Sequence, residues 1–187
     1  TSTDDAGNTV PIDDNIQVTV DTTAPDALEF IDDRGPDGLA ERVYFDDEKI
    51  AAIRDDDGSV TLYAPNASGG VTELVAGEEY TESMEDNQRE FKLEDAVAEL
   101  VASVEDKAGN MQSTYIVFDA GDGTETSLND LADDGLNITM VDLTEALVYL
   151  TLDKDDVAGL TGNQDILRIV GDGSDKVTLT GFNPDGT

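Results

Sequence analysis

The loop Asp4-Asp-Ala-Gly-Asn8 returns 102 residues later as Asp106-Lys-Ala-Gly-Asn110. Each copy is followed by a strand-like run that closes on an aspartate, Val18-Thr-Val-Asp21 and Ile116-Val-Phe-Asp119. A repeat of about one hundred residues is too long for a solenoid rung and marks tandem domains. The chain divides accordingly into residues 1–20, tail strands of a preceding repeat or an N-terminal extension; residues 21–119, a complete unit; and residues 120–187, a second β-rich module whose completeness the sequence leaves open. Pro25 stops any ladder after Asp21 and biases Ala24 toward an extended backbone, so Val18–Pro25 reads as a stiff junction. Residues 1–20 either dangle or complete a neighbour's sheet.

Short alternating runs bounded by turn residues fill the middle unit. Strands are expected at Leu28–Ile31, Arg42–Phe45, Lys49–Ile53, Ser59–Tyr63, Val71–Val75, Arg89–Leu93, Val101–Glu105 and Ser113–Phe118. The last two form a hairpin about Asp106–Asn110. Asp32-Asp-Arg-Gly-Pro-Asp-Gly38 and Asp55-Asp-Asp-Gly58 read as acidic turns. Glu78–Gln88 is polar and reads as a loop or an irregular edge, and Glu94–Leu100 as a short helical turn. About seven short strands at this spacing indicate an immunoglobulin-like β-sandwich, so the fold class is all-β.

Residues 120–135 are rich in Gly, Asp and Thr and read as a linker or a loop leading into the next module. Leu136–Val141 and Ala146–Leu152 are strand candidates, with a helical alternative at Leu143–Leu150. Asp153 has N-cap chemistry, and Val157 and Leu160 fall three apart, so Asp153–Leu160 is expected to be a short helix. Ile166–Val170 and Lys176–Thr180 then read as a hairpin about the acidic turn Gly171-Asp-Gly-Ser-Asp175.

Composition narrows the chemistry. There are 44 acidic and 10 basic residues, a net charge of −34, and neither His nor Cys. Such a surface repels nucleic acid and anionic membrane, and no long apolar run offers a membrane span. Without His and Cys there is no Ser-His-Asp triad, thiol nucleophile, disulfide or usual zinc ligand set. Two carboxylates can cleave a glycoside without His. Among 44 acids, however, some suitable pair is inevitable, and with no Trp and only 5 Tyr the platforms for sugar are scarce. The expectation is a protein that is not an enzyme. Oxygen-only ligands favour a hard cation, Ca²⁺ before Mg²⁺, while a halophilic solvating coat accounts for part of the acidity.

The segments Val18–Pro25, Asp32–Gly38 and Asp106–Asn110 together resemble the immunoglobulin-like repeats of giant bacterial adhesins exported by type I secretion, the RTX adhesins. Leu150–Thr161, Asp165–Ile169, Gly171–Asp175 and Val177–Leu179 resemble a second module of the same proteins. The resemblance implies an extracellular, bacterial cell-surface segment that serves cell adhesion and biofilm formation, stiffened by calcium and partnered by neighbouring domains in tandem. It implies Asp21 and Asp119 as junction ligands, Asp32 and Asp33 as turn ligands, and Asp106 with Asn110 as the loop side of a site. Asp172 and Asp175 match acidic turn positions of the second module.

Each position also has an ordinary explanation. Asp32, Asp33 and Asp37 fit a solvated Asp-Gly turn as well as a calcium turn. In hairpin chemistry, Gly109 and Asn110 take positive φ and Asp106 makes an Asx-turn. Asp172 and Asp175 fit a tight turn. Two other functional readings stand beside the spacer: residues 120–187 as part of a peptide- or sugar-binding domain, and an envelope domain whose acids only solvate.

Overall fold

The structure, a computed structural model, describes residues 2–3, 9–10, 30–34, 39–46, 60–66, 70–85, 88–106, 109–119, 125–126, 128, 131, 135–144, 148–162 and 166–182. The fold is all-β with one short helix. The expected loop at Asp4–Asn8, the junction at Val18–Pro25, the strand at Lys49–Ile53 and the turn at Asp55–Asp57 lie outside the described residues. At the start of the chain, β1 (Ser2–Thr3) pairs antiparallel with β2 (Thr9–Val10).

Two antiparallel sheets form a sandwich. One holds β3 (Phe30–Arg34), β4 (Ala40–Asp46), β7 (Tyr80–Glu85) and β8 (Gln88–Val97) in the order β3-β4-β8-β7. Facing it are β5 (Val60–Pro65), β6 (Val71–Glu73), β9 (Glu99–Glu105) and β10 (Met111–Val117), ordered β6-β5-β9-β10. With the strands lettered in chain order, these are the A-B-E-D and C′-C-F-G sheets of an immunoglobulin-like sandwich. Lacking Cys and Trp, the core relies on other residues: Phe45 meets Phe91 edge-on at 5.8 Å between ring centroids, Tyr80 tilts against Phe91 at 5.7 Å, and Val43, Leu62, Leu100, Ala102 and Ile116 close around them.

Beyond β10 the chain changes architecture without leaving the sheet. β12 (Ile138–Asp142) pairs parallel with β10, Thr114 beside Met140 and Ile116 beside Asp142, and β14 (Arg168–Val170) pairs parallel with β12. Between these strands the chain crosses to a second, wholly parallel sheet of β11 (Glu125–Thr126), β13 (Tyr149–Leu152) and β15 (Lys176–Leu179). From β10 to β15 successive strands alternate between the two sheets. The result is a two-sheet parallel coil whose first rung starts from the last strand of the sandwich. Arg168 lies 28 residues after its neighbour Met140, and Lys176 lies 27 after Tyr149.

A second core fills the coil: Val101, Tyr115 and Val117 from the far face of β9 and β10 meet Leu128, Leu136, Ile138, Val141, Leu150, Leu152 and Leu160. β9 and β10 are consequently covered on both faces, which explains their almost unbroken burial. Residues 21–119 and 120–187 share one continuous sheet.

The helix α1 (Lys154–Leu160) forms where expected. Asp153 accepts the N–H groups of Asp155 and Asp156, and Asp156 returns a carboxylate to the N–H of Asp153, a complete capping box.

Five expectations give way. Glu94–Leu100 is extended, not helical: Lys92 faces Arg42 but Val97 faces Ala40, so the ladder slips through a bulge and the alternation breaks. Glu78–Gln88 contains β7, a regular edge strand. Asp32 and Asp33 lie inside strand β3, opposite Val43 and Arg42, rather than in the turn that follows it. Residues 120–135 are more than a linker, since Leu128 and Leu131 are buried in the second core. Gly171–Asp175 is a coil corner and not a hairpin turn, because β14 and β15 belong to different sheets.

Candidate metal centre

The described candidates fall in three separate places. Asp106 and Asn110 form the tip of the β9–β10 hairpin. The Asp106 carboxylate accepts the Asn110 backbone N–H at 2.9 Å on one oxygen and its side-chain amide at 2.8 Å on the other, while the Asp106 N–H reaches the Asn110 carbonyl at 2.9 Å. Gly109 takes φ +86°; Asn110 does not take the positive φ expected of it. These are the hydrogen bonds of a hairpin tip.

Asp119 is at the other end of β10. Nine residues of nearly extended chain separate it from Asn110, so these two groups lie roughly 30 Å apart and cannot share an ion. The register shows what neighbours Asp119. Arg34 pairs with Ala40 and Ala40 with Val97. The carbonyl of the next residue, Ala98, accepts the N–H groups of both Phe118 (2.8 Å) and Asp119 (3.1 Å). The Arg34 end of β3 therefore lies toward the same pole of the sandwich as Asp119, with Asp33 and Asp32 one and two residues further along the strand, in register with Arg42–Lys92 and Val43–Phe91. Asp37 and Asp21 lie outside the described residues.

Asp172 and Asp175 occupy the corner between β14 and β15. Asp172 accepts the Ser174 N–H at 2.7 Å and the Ser174 hydroxyl, which, led by the hydroxyl, hold its carboxyl below the usual carboxylate range. Asp175 accepts the N–H of Asp172 at 2.7 Å and that of Val148, in the preceding corner, at 3.1 Å. Both carboxylates are engaged by backbone donors. A Cβ at Gly171 would stand 2.6 Å from the Asp175 carboxylate, so a larger residue there would displace that carboxylate from its N–H donors.

The seam between sandwich and coil carries polar groups that sequence reasoning missed. The Ser103 and Ser113 hydroxyls lie 2.8 Å apart, both buried, and Ser113 donates to the Leu136 carbonyl. Gln112 donates to Thr139, and Asn137 to the Met111 carbonyl at 3.3 Å. Asp142, 9% exposed, accepts the N–H and hydroxyl of Thr144 at 3.0 and 2.6 Å. This repeats the Asp-x-Ser/Thr turn of Asp172, a spacing visible in the sequence. Glu99 and Tyr115 are hydrogen-bonded on the coil side of the shared sheet. Burial raises the Glu99 pKa against the opposing effect of that bond, and burial followed by the charge of Glu99 raises that of Tyr115.

Among the described residues no three carboxylates converge. Oxygen donors at the pole of Asp33 and Asp119 suit a hard cation by type, whereas the hairpin tip and the coil corner satisfy their carboxylates internally. No protein family, curated protein or solved structure matches the chain.

Proposed function

We propose that the chain is a calcium-stiffened, non-enzymatic spacer segment of a bacterial surface adhesin. The observation that carries this reading is that the end of β3 that follows Asp32 and Asp33 lies toward the same pole of the sandwich as Asp119. It is the end at which the sandwich hands over to the coil, and a cation bound there would bridge a strand end of one sheet to the first connection of the coil. Calcium accepts six to eight oxygens in loose geometry, so a strand end, a turn and a neighbouring strand can each contribute. Ion binding adds to folding free energy when the unfolded chain has no such site.

The shared sheet supports a mechanical role. A pull on the coil is transmitted through backbone hydrogen bonds from β12 to β10, without passing through a flexible tether. Calorimetric titration with Ca²⁺ tests the reading. A saturable site whose stoichiometry falls in both Asp33→Asn and Asp119→Asn is expected. Titration heats no larger than dilution heats, in a folded sample, would remove the calcium part of the reading.

A further inference from the structure

Asp142 and Asp172 make the same turn in opposite surroundings. In each, one carboxylate oxygen accepts the N–H and the hydroxyl of the residue two positions on, Thr144 or Ser174. Asp172 is exposed, so its second oxygen faces solvent. Asp142 is 9% exposed, and its Oδ2 accepts from no donor among the described residues. An ionised carboxylate buried with one oxygen unserved is costly, because nothing replaces the hydration it has lost.

The sheet sets the direction of this carboxylate. Asp142 stands in parallel register with Ile116 of β10 and Val170 of β14, and register partners share a face. Ile116 lies in the sandwich core, while Val141 and Leu143, on either side of Asp142, lie in the coil core. The Asp142 side chain is therefore on the sandwich face of the shared sheet, at the pole where β10 and β12 both end.

A bulge brings Asp119 to that face. Phe118 and Asp119 both donate their N–H groups to the Ala98 carbonyl, at 2.8 and 3.1 Å. Two residues of one strand thus oppose one of the other, and the alternation of side chains stops there. Phe118 fills the sandwich core, so Asp119 stays on the same face instead of turning into the coil core. Asp119 is three residues past Ile116, the neighbour of Asp142. At about 4.8 Å between strands and about 3.3 Å per residue, the two aspartate Cα atoms are roughly 11 Å apart. Two aspartates on opposite sides of one Ca²⁺, each oxygen about 2.4 Å from the ion, span up to roughly 12 Å between Cα atoms.

We infer that Asp142 and Asp119 hold one calcium ion between them, Asp142 through Oδ2. The inference rests on the calcium reading above and names the ligand that the coil contributes to it. Thr144 holds Oδ1 and so presents Oδ2. The ion then ties the last strand of the sandwich to the first coil strand in the same sheet. Ligands drawn from two strands with a solvent-filled remainder suit the loose shell of Ca²⁺ better than the strict octahedron of Mg²⁺.

Calorimetric titration of the whole chain with Ca²⁺, with melting temperatures in EDTA and in calcium, is the experiment. Asp142→Asn is compared with Asp153→Asn, which removes the same charge at the helix cap. Asp142→Asn should lose one ion or bind it roughly tenfold or more weakly, while Asp153→Asn titrates like the parent. In EDTA, Asp142→Asn should melt above the parent, since no buried charge is left unserved; in saturating calcium it should melt below. That crossing also shows that the variant folds. A parent that takes up calcium and an Asp142→Asn variant that takes up as much with the same affinity would overturn the inference and leave the calcium reading standing. A parent that binds none would end both. An Asp142→Asn variant that melts below the parent by the same margin in EDTA and in calcium would make Asp142 a structural bracket and overturn the inference as well.

Discussion

Asp175 and Val148 are 27 positions apart in the chain, and the carboxylate of the first accepts the backbone N–H of the second at 3.1 Å. This bond ties the corner of one rung to the corner of the rung before it. Removing the carboxylate leaves the N–H groups of Val148 and Asp172 without their acceptor. Asp175→Ala should therefore cost about 1–2 kcal/mol in urea denaturation. The loss should be the same in EDTA and in calcium. A loss seen only with calcium would make Asp175 an ion ligand instead of a bracket.

The shared sheet couples the two cores. Leu152 is fully buried in the coil core, and Leu152→Ala should cost about 2–5 kcal/mol. Because β9 and β10 serve both cores, amide exchange in β9 should accelerate along with that in β13. Faster exchange confined to β13 and β15 would mean that the coil unfolds by itself.

The expectations that held and those that failed differ in range. Asp153 was legible as a cap because its donors are two and three residues away. The hairpin at Asp106–Asn110 and the alternation of Val60 and Leu62 were equally local. The corner at Gly171–Asp175 was misread because a tight acidic turn has the same composition whether the chain doubles back or crosses to another sheet. What decides is a parallel neighbour 27 or 28 residues away. One signal was available: Leu100-Val-Ala-Ser-Val104 and Tyr115-Ile-Val-Phe118 do not alternate, the mark of strands covered on both faces. The metal candidates rest on residue type and on the resemblance of their motifs to adhesin repeats. The separation of the Asp106–Asn110 tip from Asp119 by the length of β10 follows from the expected strand Ser113–Phe118, whereas the position of Asp32 and Asp33 inside β3 depends on pairing with Val43 and Arg42 that no motif encodes.

The α1 cap offers a contained test. Asp153→Ala removes the acceptor for two N–H groups and should cost about 1 kcal/mol. Asp153→Asn should recover most of it. Thermal denaturation of the two variants side by side separates a capping bond from simple relief of acidic repulsion, which both substitutions provide equally.

Glu99 sets a pH dependence at the seam. Its folded pKa is raised, chiefly by burial, so the folded state holds this proton more tightly than the unfolded chain. Its contribution is complete below the ordinary glutamate value of about 4.3 and is lost as pH rises through the folded value. Glu99→Gln stays uncharged throughout. Relative to the parent, the variant should gain stability as pH rises across that window and then keep a constant advantage. Parallel stability curves for the two proteins from acid to neutral pH would contradict the assignment.

The most direct test of the calcium-locked spacer is the melting temperature of the whole chain in EDTA, in calcium, and in sodium chloride matched to the calcium for ionic strength. A rise with calcium that sodium does not reproduce, and that Asp33→Asn/Asp119→Asn abolishes, is the expected result. Equal melting temperatures in calcium and in matched sodium chloride would contradict it, leaving the acids as a solvating coat.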